Sequence, residues 1–410
     1  MKILHINRTD RGGAANACLR LHEGLLNAGI DSKVLVLRKT NNNFREVYEY
    51  EFNIKNRRLA KIVQFFKKIL FLNMILERVI IKRKRPKSLE RLSFPVSNID
   101  ITDSKLFCEA DIIHLHWVSN ILDYKTFFAK CKKPIIWTFH DQNPFLGVEH
   151  YAEKLLYPNE QGFPVIRQFN DYELKIEEKY KRLKRKIFEN MPMNIIALCN
   201  WMKNEITDSQ MFPMAKIDIV PNGIDSGQFK ILDKNNCKKL LGLPLNKKII
   251  LFVAEYTHNN RKGLNYLQKI NSKDFLICSV GSKKTSQNKN TNFIELGKFY
   301  DPHLMNAAYC AADLYIIPSL MDNLPNTVIE SLLSGTPVIS FPVGGMPDMI
   351  KQKCNGYIAK DISVGALSET LGLFFRENVE WTPEEIRMDA VERFDISTQV
   401  KNMTHIYKNI

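Results

Sequence analysis

Two carboxylates, Asp322 and Glu330, stand eight positions apart in the block Pro318-Ser319-Leu320-Met321-Asp322-Asn323-Leu324-Pro325-Asn326-Thr327-Val328-Ile329-Glu330, which continues to the strand-like SGTPVI at 334–339. The block reads as strand, loop, helix, glycine stop and strand, with Pro325 in the first helical turn and Gly335 at the helix end. Asp322 then lies in the loop and Glu330 inside the helix, ~8 to 12 Å apart at the usual rise per residue. That spacing is too long for two carboxyl groups working on one glycosidic bond. It suits the two ends of one elongated ligand, with the helix N-terminus near an anion between them. The structural alternative is Asp322 as a helix cap and Glu330 as partner of a nearby base. Gly12 and Gly13 follow the first apolar strand at a turn into a helix, where backbone N–H groups can approach a phosphate. A tight turn needs glycine as well. The pair is not GxGxxG, so a dinucleotide enzyme gains no support. His140 closes the apolar run PIIWTFH just before Asp141 and Pro144, either packed in the core or facing a ligand.

These residues need rigid elements to hold them. Short continuous apolar runs at 2–7, 32–37, 111–118, 134–140, 194–199 and 216–221 read as buried strands, and helix-length patterns lie between them. After PNGID at 221–225 the alternation restarts at 247–255, 274–281, 292–297, 313–319 and 337–342. Buried strands alternating with helices mean parallel, doubly wound sheets. The expected fold class is therefore α/β, two Rossmann-like doubly wound domains facing across a cleft, with ligands at the carboxyl ends of the strands. The expected domains are 1–225, carrying a basic amphipathic insertion at about 54–90, then 226–383, and a C-terminal helix over 384–410 that returns to the first domain. A second charged run, at 173–189, reads as a solvated helix face.

The chain has 410 residues, 45% hydrophobic and 25% charged, with eight scattered Cys and no CxxC pair. Disorder, collagen and an all-coiled-coil chain are excluded, and reduced thiols without a metal site are expected. Net charge is +15. Between Ile54 and Lys87 twelve Lys or Arg face one acid, so that window supplies +11. Large apolar residues such as Phe65, Leu72, Ile75 and Ile80 share it. This suits a helix at the surface of an anionic membrane, or a core helix with solvated ends. Nucleic acid is not an expected partner, since no zinc-finger spacing or RNP-type motif accompanies the charge. The run at 62–81 is interrupted by Gln64, Lys67, Lys68, Asn73, Glu77 and Arg78 and is not expected to span a bilayer.

Taken together, the Gly12-Gly13 turn, IIHLHW at 112–117, WTFHDQNPF at 137–145, VPNGID at 220–225, Arg261-Lys262-Gly263 and the Asp322-x7-Glu330 block resemble glycosyltransferase family 4. That family is retaining and has the two-domain GT-B fold, and the flavour is that of bacterial colanic-acid and other exopolysaccharide enzymes. The resemblance implies a hexosyltransferase-type enzyme that moves a sugar from a nucleoside diphosphate sugar to a glycan acceptor, lipid-linked, in bacterial surface polysaccharide synthesis. No cofactor and no metal is implied, and the location implied is cytoplasmic and peripheral on the inner membrane face.

By the same resemblance Glu330 would hold the ribose, and Asp322 would orient donor-sugar hydroxyls with the backbone amides of Asn323 and Leu324. Lys262 with Arg261 would neutralise the diphosphate, Gly12 and Gly13 would approach it, and His140 would stand near the sugar and acceptor. The chain departs from the family in lacking Gly-Arg ahead of the lysine, where it has Ala254-Glu255-Tyr256, and in carrying Met321 before Asp322. Rival readings are a catalytically silent membrane-attached scaffold and an enzyme that isomerises or hydrolyses its nucleotide sugar.

Overall fold

A computed structural model describes residues 1–51, 72, 74–256, 259–270, 274–282, 292–377 and 381–410. Much of the basic insertion expected at 54–90 lies outside the described residues. The chain forms two compact units, one of residues 1–152, 168–220 and 400–410, the other of residues 153–167 and 221–399.

In chain order the strands are β1 (Lys2–Ile6), β2 (Asp31–Val36), β3 (Val47–Glu49), β4 (Ile112–Leu115) and β5 (Ile135–Phe139). A hairpin follows, β6 (Leu155–Pro158) and β7 (Pro164–Ile166), and then β8 (Met193–Ala197) and β9 (Ala215–Ile219). The later strands are β10 (Lys248–Tyr256), β11 (Phe275–Ser282), β12 (Phe293–Gly297), β13 (Leu314–Ile317), β14 (Val338–Ser340) and β15 (Gly356–Ile358).

The first unit holds a seven-stranded sheet ordered β3-β2-β1-β4-β5-β8-β9, parallel throughout. Its central strands are buried on both faces, which is why they read as unbroken apolar runs. Ile6 pairs with Leu115, so the residues after β1 and β4 leave the sheet at the same edge. There Arg8 N–H donates to the Trp117 carbonyl at 2.9 Å, and Trp117 N–H donates to Asn7 Oδ1 at 2.9 Å. Helix Gly13–Asn27 covers one face with Cys18, Leu19, Leu21 and Leu25. An aromatic cluster of Tyr124, Phe128, Trp137, Phe139 and Phe188 fills the region around β5.

The second unit carries a six-stranded parallel sheet ordered β12-β11-β10-β13-β14-β15. The hairpin β6–β7 belongs to this unit although its sequence interrupts the first. It is tied down by Tyr266 Oη donating to the Leu156 carbonyl at 3.1 Å and by Val364 N–H donating to the Gly162 carbonyl at 2.9 Å.

Two stretches depart in part from their sequence reading, the first of them a charged helix that keeps Lys175, Glu178, Lys179, Arg182, Arg185 and Lys186 exposed as expected. Helix Asp171–Phe188 opens with a capping box of Asn170 and Glu173, and it buries Ile176, Tyr180, Lys184 and Phe188. Lys184, far from solvated, is completely buried, donates to the carbonyls of Asn143 and Leu146, and lies 5.6 Å from the Tyr124 ring centre. Burial pushes its ammonium down to about 7 against the opposing pull of Glu177 and Asp141. At the C-terminus the chain forms two helices, Pro383–Phe394 and Ile396–Lys408, where one was expected over 384–410. Asp395 sits in extended backbone between them and accepts from the Ser397 and Ser226 amides.

Candidate functional site

In the second unit, the expected site residues emerge at the carboxyl ends of parallel strands, Arg261 and Lys262 after β10 and Asp322 after β13, and the loop with Gly344 follows β14. This is the edge where α/β sheets bind ligands. Asn259 caps the turn by accepting from the Arg261 amide at 3.0 Å, and Leu320 N–H donates to the Arg261 carbonyl at 2.8 Å, locking that turn to the loop after β13.

Asp322 is 6% exposed. Its Oδ2 accepts from Lys262 Nζ at 2.6 Å and Ser319 Oγ at 3.3 Å, and lies 3.3 Å from Arg261 Nη1. Burial alone would raise this carboxyl, but Lys262, Arg261 and the two hydrogen bonds outweigh it and hold it below the usual carboxylate range. Arg261 is also fixed by donating to the Met321 carbonyl at 2.8 Å. Asp322 does not cap the following helix, Asn326–Leu333, whose N-cap is Pro325. Asn323 and Leu324 are buried beside it, and the Asn323 carbonyl accepts from Gly345 N–H at 2.9 Å. Glu330 is half-buried and accepts from Tyr309 Oη at 3.1 Å.

Two glycines let these loops touch. A Cβ on Gly263 would sit 1.7 Å from the Pro318 carbonyl oxygen, and one on Gly344 would sit 1.6 Å from that of Asp322, both at positive φ. Gly263→Ala should therefore lower the melting temperature by ~4 to 8 °C, the shift of about 2 kcal/mol in a domain of this size. Gly242→Ala is the control, since Gly242 has φ +67 and open space around it. Equal melting temperatures for the two variants, by thermal scan, would contradict the close-approach argument.

In the first unit, Gly12 caps helix Gly13–Asn27 with φ 97, and a Cβ on either Gly12 or Gly13 would meet nothing within 4 Å. Asp10 closes the turn by accepting from Thr40 Oγ1 at 2.7 Å and the Asn41 amide at 2.6 Å. His140 follows β5 and joins His116 across 3.1 Å. Burial pushes its imidazole down to about 4, with Asp141 opposing. His114 and His116 are both buried, their ring centres 4.2 Å apart.

The profile of Glycosyltransferase Family 4 matches residues 11–228, and that of Glycosyl transferases group 1 matches residues 247–374. The chain belongs to the glycosyltransferases. An uncharacterized glycosyltransferase of Methanocaldococcus jannaschii is 24% identical over 236 residues, 52% of this chain and 59% of that protein. A putative teichuronic acid biosynthesis glycosyltransferase of Bacillus subtilis is 26% identical over 202 residues, 47% of this chain and 50% of that protein. The match thus spans 50 to 59% of the length of these relatives. Among solved structures, sucrose-phosphate synthase from Thermosynechococcus elongatus aligns at TM-score 0.68 and 16% identity, covering 100% of this chain and 98% of its own. Anabaena HepE in complex with UDP-glucose aligns at TM-score 0.67 and 13% identity, with 100% of both chains covered. The glycosyltransferase therefore has the two-domain, Rossmann-like GT-B fold.

Several contacts in this glycosyltransferase were not anticipated from its sequence. Ser319 and Tyr309, which hydrogen-bond Asp322 and Glu330, carry no sequence signal of their own, although Ser319 stands three residues ahead of Asp322 in the same loop. Asp141, in the sequence only a neighbour of His140, accepts from Trp117 Nε1 at 3.0 Å and pairs with His150 at 2.5 Å. Among the described residues, His5, Cys18 and His116 bring three metal-type donor atoms within 4.8 Å of one another. Both His116 nitrogens and His5 Nδ1 also take part in ring-to-ring hydrogen bonds.

Proposed function

We propose that this chain is a retaining transferase of family 4 that moves a sugar from a nucleoside diphosphate to a lipid-linked glycan acceptor at the inner face of the bacterial cytoplasmic membrane, in surface polysaccharide synthesis. The observation that carries the reading is the buried Asp322 carboxylate held by Lys262 and Arg261 at the carboxyl edge of the second sheet. Two cations and an orienting carboxylate at one point suit a ligand with a diphosphate next to a sugar. In this reading Lys262 and Arg261 take the leaving diphosphate, and Asp322 then turns to sugar hydroxyls. Glu330 holds the ribose, while Asn323 and Leu324 offer backbone amides. Gly12 and Gly13 approach the phosphates, and His140 lies beside the sugar.

The bond from the anomeric carbon to the diphosphate oxygen breaks and a bond to the acceptor hydroxyl oxygen forms on the same face. The hydroxyl proton passes to the departing phosphate oxygen. Fixed cationic and N–H donors at the developing charge supply the rate acceleration, and the proposed step needs no metal. A panel of nucleoside diphosphate sugars, screened by thermal stabilisation and then incubated with lipid extract, tests the reading. A glycolipid whose new bond keeps the donor's anomeric configuration is expected, and inverted product or none would refute it.

The membrane part of the proposal draws on the helical stretch 74–84. Met74 and Ile81 pack into a cluster with Phe94, Val148, Ile176 and Tyr180, whereas Ile75, Leu76, Val79 and Ile80 are exposed. Arg78, Lys82, Arg83 and Lys84 are exposed on the same stretch. Arg85 is not part of that surface, being buried and paired with Glu149 at 2.9 Å. Among the described residues no helix is long and apolar enough to cross a membrane. Replacing Lys82, Arg83 and Lys84 with Ser should reduce sedimentation with anionic vesicles by about tenfold or more, at ~1 kcal/mol per basic residue near the surface. Unchanged sedimentation at low salt would refute membrane contact through this helix.

A further inference from the structure

Three imidazoles of the first unit form a hydrogen-bonded row. His140 Nε2 meets His116 Nδ1 at 3.1 Å, and His116 Nε2 meets His5 Nδ1 at 2.9 Å. His5 and His116 are buried, on or just after β1 and β4, while His140 lies at the end of β5 and is partly exposed. At the inner end of the row, His5 Nε2 is buried and has no hydrogen-bond partner.

A neutral imidazole has one N–H and one lone pair, so the row can be polarised in only two ways. In the first, N–H groups point from His5 through His116 to His140, and the unpaired atom of His5 is a lone pair. In the second they point inward, and the unpaired atom is an N–H. Orphaned N–H groups are the rarer defect in native interiors, which favours the first. Desolvation keeps all three rings neutral around pH 7, since burial holds His5 and His116 well below the ordinary histidine range and His140 at about 4.

We infer that His116 and His5 are positioning residues that hold His140 as the tautomer protonated on Nδ1, so that it meets its ligand as a hydrogen-bond donor and not as a base. The inference rests on the reading of His140 as part of the sugar site. It adds a direction to that site: His140 Nδ1–H is aimed at an oxygen of the donor or acceptor, and the acceptor's proton leaves with the phosphate. Burial of His116 is explained by the same row, because one ring must both accept from His5 and donate to His140.

The test is a two-bond proton–nitrogen correlation spectrum of the full chain labelled with 15N-histidine, assigned with His140→Gln, beside kinetics of His116→Gln and His116→Phe. His140 should be protonated on Nδ1 in the wild type and in His116→Gln, since Gln also offers one donor and one acceptor. In His116→Phe that tautomer should be lost. There kcat should fall about tenfold to a hundredfold, the cost of a misdirected group, with donor affinity within about twofold, and His116→Gln should recover most of the loss. Protonation of His140 on Nε2 in the wild type, or an unchanged tautomer in His116→Phe, would overturn the inference. Should His116→Phe not fold, His5→Phe removes the donor to His116 and reads the same tautomer. The spectrum decides the point even if no transfer is found, so failure of the inference and failure of the proposed function are separately visible.

Discussion

Asp322→Asn should lower sugar transfer by about a thousandfold or more while leaving nucleoside diphosphate affinity unchanged or raised. The carboxylate is the counter-ion of both Lys262 and Arg261. An amide of the same shape keeps one oxygen for hydrogen bonding but cannot balance two cations, so the site carries more positive charge towards a diphosphate. Transfer is lost because the orienting charge at the sugar is gone, an effect of about 10²- to 10³-fold or more for one preorganised group. Breaking a buried pair also costs stability, here up to about 3 kcal/mol, since Lys262 remains partly exposed. The variant should melt below the wild type and be restored by nucleoside diphosphate. The pH dependence has a defined sign: the folded carboxyl lies below its unfolded value of about 3.9. Its stabilisation is therefore complete above pH about 4 and is lost as pH falls through the folded value. The gap in melting temperature between variant and wild type should stay constant from pH 5 to 8 and close only below about 4. A gap that changes between pH 6 and 8 would assign the effect to another group.

Lys262→Ala should weaken nucleoside diphosphate binding by ~1.5 to 3 kcal/mol, tenfold to about 150-fold, the range for a lost charge-assisted hydrogen bond. Arg261, 3.3 Å from Asp322 in the native chain, is left as its cation, so the remaining pair is neutral and attracts the phosphates less. The loss should fall on donor KM and on calorimetric affinity alike. Equal affinity would remove Lys262 from the phosphate site.

The two sheets were legible because parallel strands covered on both faces are written as unbroken apolar runs, as in IIHL and LYII. The three-residue strands β3 and β15 carry too little pattern to be read. The hairpin β6–β7 was missed because LLYP and PVI contain prolines and lack alternation, and its partners Tyr266 and Val364 lie over a hundred residues away. Lys184 and Arg85 were read as surface charge because composition does not reveal the carbonyls and carboxylates that receive them. At the site, residue type and spacing marked Asp322 and Glu330, and the family resemblance added Lys262. That Lys262 and Arg261 close onto Asp322 across 60 residues is a property of the folded loops, fixed by Gly263 and Gly344, and no local signal in the sequence states it.

The sharpest measurement is a parallel calorimetric titration of nucleoside diphosphate into the wild type, Lys262→Ala and Asp322→Asn. A shared diphosphate site requires the two substitutions to diverge, with weaker binding after loss of the lysine and equal or tighter binding after loss of the carboxylate. If both variants weaken together, or both bind as the wild type does, Asp322 and Lys262 do not grip an activated sugar as proposed.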